Sequence, residues 1–182
     1  MRWNGRKPTS TEIEKIVNKD FIDWFPQKIV NPDISNTVSD YLKFLADGLT
    51  PHARRFTSFN INGFKFRTSE REDGLKTQNS GVFCTSSTSC IASGADRNLR
   101  QADLPYYGKL EDIIELNYYG RFWVTLFKCK WDDTTRDRGF RIDACGFSSV
   151  NFSRLIHTSD HEEDGPYIEA SQAQMYIMWT MR

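Results

Sequence analysis

The sequence predicts an α+β protein that is mainly β, with a small barrel-like or rolled antiparallel sheet preceded by two N-terminal helices. Three observations predict this fold class. Apolar residues between positions 13 and 24 recur at helical spacing. The Asn62-Gly63 pair lies between two alternating apolar runs, which is typical of a β-hairpin. Residues 106–131 contain two further strand-like runs separated by an Asn/Tyr/Gly turn.

The two helices are bounded by recognisable signals. Thr9 and Glu12 fit a capping box, so the first helix is expected to begin there. Pro26 is expected to end it, because proline lacks the amide hydrogen that the helix needs. A second, shorter helix is expected over residues 38–46, closed by a following Asp-Gly pair.

The hairpin around Asn62-Gly63 makes the most specific structural prediction. A two-residue turn of type I′ places Ile61 opposite Phe64 and Phe59 opposite Phe66. These apolar side chains then share one face of the hairpin, which is expected to cover a core. The other face is polar and carries Ser58, Asn60, Lys65 and Arg67.

We expect residues 1–48 to form a helical appendage and residues 49–182 to form the β-rich domain. Residues 69–104 are polar and rich in Ser, Thr, Gly and Asn, which predicts a long surface excursion with one edge strand at 81–84. The run 122–127 is apolar on both faces, which indicates a central strand. Further along, one or two strands and then a closing strand are expected.

Composition limits the classes of function. The chain has 24 basic and 24 acidic side chains, so its overall charge draws it neither to nucleic acid nor to anionic lipid. No run of about 18 apolar residues predicts a membrane span. Four cysteines without a C-x-x-C pair, and the lack of an apolar leader after Met1, favour an intracellular protein with reduced thiols. No glycine-rich phosphate motif occurs.

No catalytic, metal-binding or cofactor-binding residue is assigned from the sequence, and the chain is expected not to be an enzyme. His157 and His161 have metal-ligand spacing, but their neighbours favour a loop rather than the helix that this geometry needs. Cys129 alternates with apolar strand residues and is expected to be buried. The Asp132-Asp133 pair follows a strand, where adjacent carboxylates are usually solvated.

Two sets of residues are candidates for binding. The first is a basic set with interleaved aromatic residues, which suits contact with nucleic acid; it contains Arg54, Arg55, Lys65, Arg67, Arg71 and Lys76. The second is an aromatic set near strand ends, which suits a peptide groove or a cage for an alkylated ammonium group; it contains Tyr106, Tyr107, Trp123 and Trp131. A solvated strand face and a packed core are the respective structural alternatives.

Several long strings in order along the chain resemble one family. They include ARRFTSFNINGFKFRT, KTQNSGV, YYGKLEDIIELNYYGRFWVTLFKCKW, GFSSVNFSRL and PYIEASQAQ. Together they resemble the domain of unknown function found downstream of the transposase in plant CACTA (En/Spm-like) transposons and in genes derived from them, over about residues 11–174. The resemblance implies a transposon-derived plant protein with a nuclear location, and it implies no catalytic residues. Since the family continues into another apolar strand after Gln174, this chain is expected to lack the last strand.

The sequence therefore favours a non-enzymatic module for protein or chromatin interaction, with a sheet of the SH3 or bromo-adjacent-homology kind by analogy. No cofactor and no membrane partner are expected. Accessory nucleic-acid binding through the basic hairpin face is the alternative, and a degenerate transposon remnant without function is the second alternative.

Overall fold

A computed structural model describes residues 9–90, 100–132, 140–142, 148–150, 155 and 167–176. The chain is mainly β, with antiparallel strands and few helices, which confirms the predicted fold class. Its contacts divide it into two compact units. The first combines residues 1–51 with 117–122, and the second combines residues 52–116 with 123–182.

The helices of the first unit are α1 (Ser10–Val30), α2 (Pro32–Ser35) and α3 (Asp40–Ala46). The Thr9 hydroxyl accepts a hydrogen bond from the Glu12 amide, and the Glu12 carboxylate accepts one from the Thr9 amide, so the predicted capping box is present.

Two details of the helix prediction were wrong. Pro26 lies inside α1 rather than at its end. The helix continues because Ile29, one turn later, is buried, and tertiary packing of this kind outweighs the local cost of proline. Where the structure describes it, the first unit also contains three helices rather than two, since Pro32 occupies the first turn of the short α2, where its missing amide hydrogen costs nothing.

The second unit begins with β1 (Arg54–Phe56), the hairpin strands β2 (Ser58–Ile61) and β3 (Phe64–Arg67), and the one-turn helix α4 (Ser69–Glu72). The hairpin has the predicted register, with Ile61 opposite Phe64 at its end. Both turn residues have positive φ, 53° and 80°, as a type I′ turn requires.

Among the described residues, the main sheet contains six strands. Five of them follow the order β10 (Gln174–Met175), β4 (Gly81–Cys90), β5 (Arg100–Asn117), β6 (Trp123–Trp131) and β9 (Tyr167–Glu169), while β1 pairs with the far end of β5. As predicted, β6 is central, because it has neighbours on both sides.

The predicted edge strand at 81–84 was wrong in length and position. It belongs to the longer strand β4, which pairs with β5 along its whole length and with β10 at Val82 and Phe83. Cross-strand partners far along the chain decide this placement, and the local polar composition does not show them. The predicted later strands are the pair β7 (Phe140–Ile142) and β8 (Ser148–Val150).

The sheet is rolled. Strands β9 and β10 occupy opposite ends of the five-strand order, yet only residues 169–174 connect them. Four strand spacings in a flat sheet cover about 19 Å. Five residue steps reach at most about 18 Å, and the 3₁₀ turn at Ala170–Gln172 shortens this reach further. The two ends of the described sheet must therefore curl toward each other. The predicted closing strand is thus two short strands.

The rolled sheet and the hairpin enclose one apolar core. Its fully buried members include Phe66, Leu110, Ile113 and Phe127. Leu110 and Ile113 are an odd number of residues apart on β5, so the in–out alternation of side chains shifts between them. This shift could not be predicted from the alternating pattern alone.

Candidate functional site

The six basic residues of the first candidate set fall into two groups. Arg54 and Arg55 lie on β1, where Arg54 Nη1 is 3.7 Å from Glu115 Oε1 and Arg55 Nε is 3.2 Å from Asp112 Oδ2. Both carboxylates come from β5, the strand that pairs with β1. The positive charge of these two arginines is therefore largely balanced within the sheet.

We use the name cationic face for the other four basic residues, of which Lys65 and Arg67 share the polar face of the hairpin. Lys65 and Arg67 project from β3, beside Asn60 and Ser58 in the register of the hairpin. Among the described residues, no carboxylate lies within ion-pair distance of any of the four cations. The members of the cationic face are Lys65, Arg67, Arg71 and Lys76.

A braced loop holds the segment that carries these cations. The Asn79 side-chain amide donates to the Lys65 carbonyl at 2.8 Å, and the Asn79 carbonyl accepts from the Arg67 amide at 3.1 Å. The buried Glu72 carboxylate accepts from the Asn79 backbone amide. Arg67 Nη1 also donates to the Thr77 hydroxyl at 3.5 Å. Asn79 thus ties the loop to β3 at Lys65 and Arg67.

The glutamate in this brace has a specific electrostatic consequence. Residues 65–76 contain three carboxylates, and one of them, that of Glu72, is turned inward to the loop backbone. Glu70 and Asp73 remain exposed, but neither forms an ion pair with a described cation. Lys65, Arg71 and Lys76 are therefore exposed and Arg67 is half-buried, with no carboxylate of the described residues in contact.

The opposite face of the hairpin anchors it to the core. Phe66 is fully buried, and its ring centroid lies 5.1 Å from that of Phe127 on β6. At the turn, the Asn62 side-chain amide donates to the carbonyls of Ser171 and Ala173, at 2.9 and 3.2 Å. Both ends of the hairpin are thereby fixed, and the cationic face has a rigid support.

The structure places the four aromatic candidates on different surfaces. Trp131 is buried, and Tyr106 meets it edge to face at 6.3 Å on the core side. Tyr107 is the next residue of β5 and points to the other side of the sheet. Trp123 is 51% exposed at the start of β6. These four rings are thus not brought together in one site.

An aromatic cluster that the sequence did not indicate lies on the outer side of the sheet. Tyr107 packs against Phe83 at 5.2 Å, its cross-strand partner, and against Tyr176 at 4.9 Å. Burial raises the pKa of Tyr107 and raises that of Tyr176 to about 12, so both hydroxyls stay protonated at neutral pH. Since the rings touch one another, they leave no gap between them for an ammonium group. Only the strand register brings them together.

The buried thiols are poorly suited to nucleophilic catalysis. Burial raises the pKa of Cys84 to about 11 and holds that of Cys129 well above its ordinary value, with smaller contributions from Cys84 and Glu111. A nucleophilic cysteine needs the opposite shift. Where the structure describes the chain, no three His, Cys, Asp or Glu side chains could hold a metal ion.

Among the remaining sequence candidates, Asp132 was expected to be solvated, and this prediction was wrong. Asp132 is fully buried at the end of β6, where its amide donates to the Tyr107 carbonyl at 2.9 Å. His157 and His161 lie outside the described residues. No helix in the described ranges is long and apolar enough to cross a membrane.

Fold and site together define a mainly β domain with an anchored, positively charged hairpin and a separate helical unit. Residues 114–180 match the model of a family described as a domain of unknown function (DUF4216). The match covers the end of β5, the strand β6 and everything through β10, and it does not include the cationic face. No curated protein and no solved structure matched the chain.

Proposed function

We propose that this protein is a non-enzymatic binding module that contacts the phosphate backbone of duplex nucleic acid through the cationic face. One observation carries the proposal: in the part of the chain that the structure describes, no carboxylate pairs with any of the four cations of the cationic face, whereas Arg54 and Arg55 each have one. A cation that is already paired gains little from a phosphate. An unpaired cation releases a condensed counterion when it binds one.

The surroundings of the cationic face favour the backbone of a duplex over single-stranded bases. Binding of single strands depends on exposed aromatic rings that stack on bases. The exposed ring nearest in sequence, Phe64, belongs to the opposite face of the hairpin. Beside Lys65 and Arg67 lie the exposed polar side chains of Asn60 and Ser58, which hydrogen-bond to phosphate and sugar.

The wider context of the proposal comes from the resemblance of the chain. We infer a transposon-derived plant protein that acts in the nucleus, where an electrostatic, sequence-independent contact with DNA would serve as an accessory to transposition. The likeness to SH3 or bromo-adjacent-homology sheets also belongs to this proposal. Support comes from the rolled antiparallel sheet and from the match to a domain of unknown function.

A second candidate function is protein or chromatin interaction, the reading that the sequence favoured. A specific observation supports the protein version: α1 exposes several large apolar side chains, among them Phe21 and Trp24. An apolar helix face of this kind is typical of a surface that binds another protein.

Titration of a fluorescent DNA duplex with the full chain at several salt concentrations tests the first proposal. We expect affinity to fall steeply with salt and to be weaker for the Lys65→Gln, Arg67→Gln double variant. A matched single strand should bind no better than the duplex. Undetectable binding by the folded protein, or binding that is independent of salt, would refute the proposal.

A further inference from the structure

An exposed apolar stripe runs along the N-terminal half of α1. Ile13, Val17, Phe21 and Trp24 are between 46% and 52% exposed. At 100° per residue these four side chains fall within an arc of about 80° over about 16 Å of helix. We call these four residues the open stripe.

The open stripe is the part of the apolar face of α1 that stays exposed when the helix packs within its own unit. Ile29, near the end of α1, is buried, and Phe25 is half-buried and stacked against Phe21 at 5.3 Å. The helix packs against α3. On the helical wheel, Phe25 and Ile29 lie about 40° and 80° beyond Phe21. The apolar arc is therefore covered at one end of the helix and open at the other.

Two carboxylates at the border of the open stripe constrain what can cover it. Asp20 lies about 20° from Ile13 and Asp23 about 80° from it, on the side away from Phe21. Both are exposed, and in the part of the chain that the structure describes neither forms an ion pair. A purely apolar partner would bury Asp20 without a counter-charge, which is costly.

We propose that the open stripe of α1 docks a basic amphipathic helix of another protein, whose Lys or Arg side chains meet Asp20 and Asp23. This inference rests on the second of the two proposed functions and names its partner. The repeat of four, four and three residues along the stripe suits helix-on-helix packing. A second copy of this chain would bring the same carboxylates to the contact, and an anionic lipid surface would repel them.

Two synthetic peptides of about 20 residues provide the probe. Both carry the same leucine stripe, with Lys on the flanks of one and Glu on the flanks of the other. Fluorescence anisotropy with the full-length chain should show at least tenfold tighter binding of the Lys peptide. Equal binding of both peptides, or binding of neither, would overturn the proposal.

Two exposed positions of α1 give a matched pair of variants. Val17→Asp places a charge in the open stripe and should abolish binding of the Lys peptide. Ile22→Asp places the same charge about 180° from Ile13, at a side chain that is 75% exposed, and should leave binding unchanged. Loss of binding in both variants, or in neither, would contradict the assigned surface. Circular dichroism confirms that each variant is folded, and Val17→Ser replaces Val17→Asp if the charged variant unfolds.

A charge reversal separates the partner class from other occupants. The Asp20→Lys, Asp23→Lys variant should prefer the Glu peptide to the Lys peptide. Sedimentation that shows a dimer of the wild-type chain, lost in Val17→Asp, would identify a second copy as the occupant and overturn the proposal. Val17→Ser leaves the charge of the chain unchanged and should bind DNA like the wild-type chain, so failure here is distinguishable from failure of the cationic face.

Discussion

Replacement of Lys65 and Arg67 by glutamine should halve the salt dependence of DNA binding. If each of the four cations of the cationic face contacts one phosphate, a plot of the logarithm of the affinity against the logarithm of the salt concentration has a slope of about −3.6. Between about 50 and 200 mM salt this slope corresponds to a fall in DNA affinity of about 150-fold. With two contacts removed, the slope becomes about −1.8 and the loss about 12-fold.

The matched control removes the same two units of charge from paired positions. Arg54→Gln with Arg55→Gln takes away cations that are 76% exposed but lie against carboxylates of β5. Their removal should change the salt slope by less than the contribution of one phosphate contact. Anisotropy titrations of one labelled duplex at four or more salt concentrations measure both slopes. Equal slopes for the two double variants would refute the reasoning, because net charge rather than unpaired charge would then determine affinity.

Three further predictions concern stability. Gly108→Ala should lower the free energy of unfolding by about 1–3 kcal/mol, because the added Cβ would lie 2.7 Å from Cε3 of Trp131. Urea denaturation measures this change, and Trp131→Leu in the same chain should relieve the steric clash. An unchanged urea midpoint for Gly108→Ala would contradict the prediction. Burial raises the pKa of Cys84 from 9.0 to about 11. The contribution of this thiol to stability should therefore be complete below pH 9 and lost as the pH rises through 11. Cys84→Ala should flatten this part of the plot of the free energy of unfolding against pH. Arg121→Gln should increase amide exchange in α3 by about 30-fold or less, since it removes an exposed ion pair and a cation–π contact, each worth about 1 kcal/mol or less. Unchanged exchange would show that these contacts do not hold the helix.

Prediction from sequence succeeded where the physical cause is local. The capping box at Thr9 depends on residues three positions apart, and the β2–β3 register depends on the two residues of its turn. Prediction failed where the cause is distant. Pro26 lies within a helix that extends to a buried Ile29, and the strand at Val82 lies between two strands that are remote in sequence.

The candidate site shows the same difference between features with a local cause and features with a distant cause. That Lys65 and Arg67 share a face follows from the alternation of a strand, and the sequence predicts it. The charge balance of the neighbouring arginines does not follow from local sequence, because their carboxylates come from β5, more than fifty residues later. The long-range pairing of β1 with β5 therefore divides six equivalent-looking cations into two that are paired and four that have no carboxylate partner among the described residues. Composition had indicated a basic stretch but not which of its members are available.

Asn62 links the local prediction to the proposed function. Its positive φ makes the turn, which is the role that the sequence shows. Its side-chain amide also binds the carbonyls of Ser171 and Ala173, in the turn between the two ends of the rolled sheet. That turn lies within the matched family region, whereas the cationic face lies outside it. The family region thus supplies the anchor that orients a charged hairpin it does not itself contain. Asn62→Gly should keep the turn, since glycine tolerates positive φ, yet loosen the hairpin and weaken DNA binding without altering its salt slope.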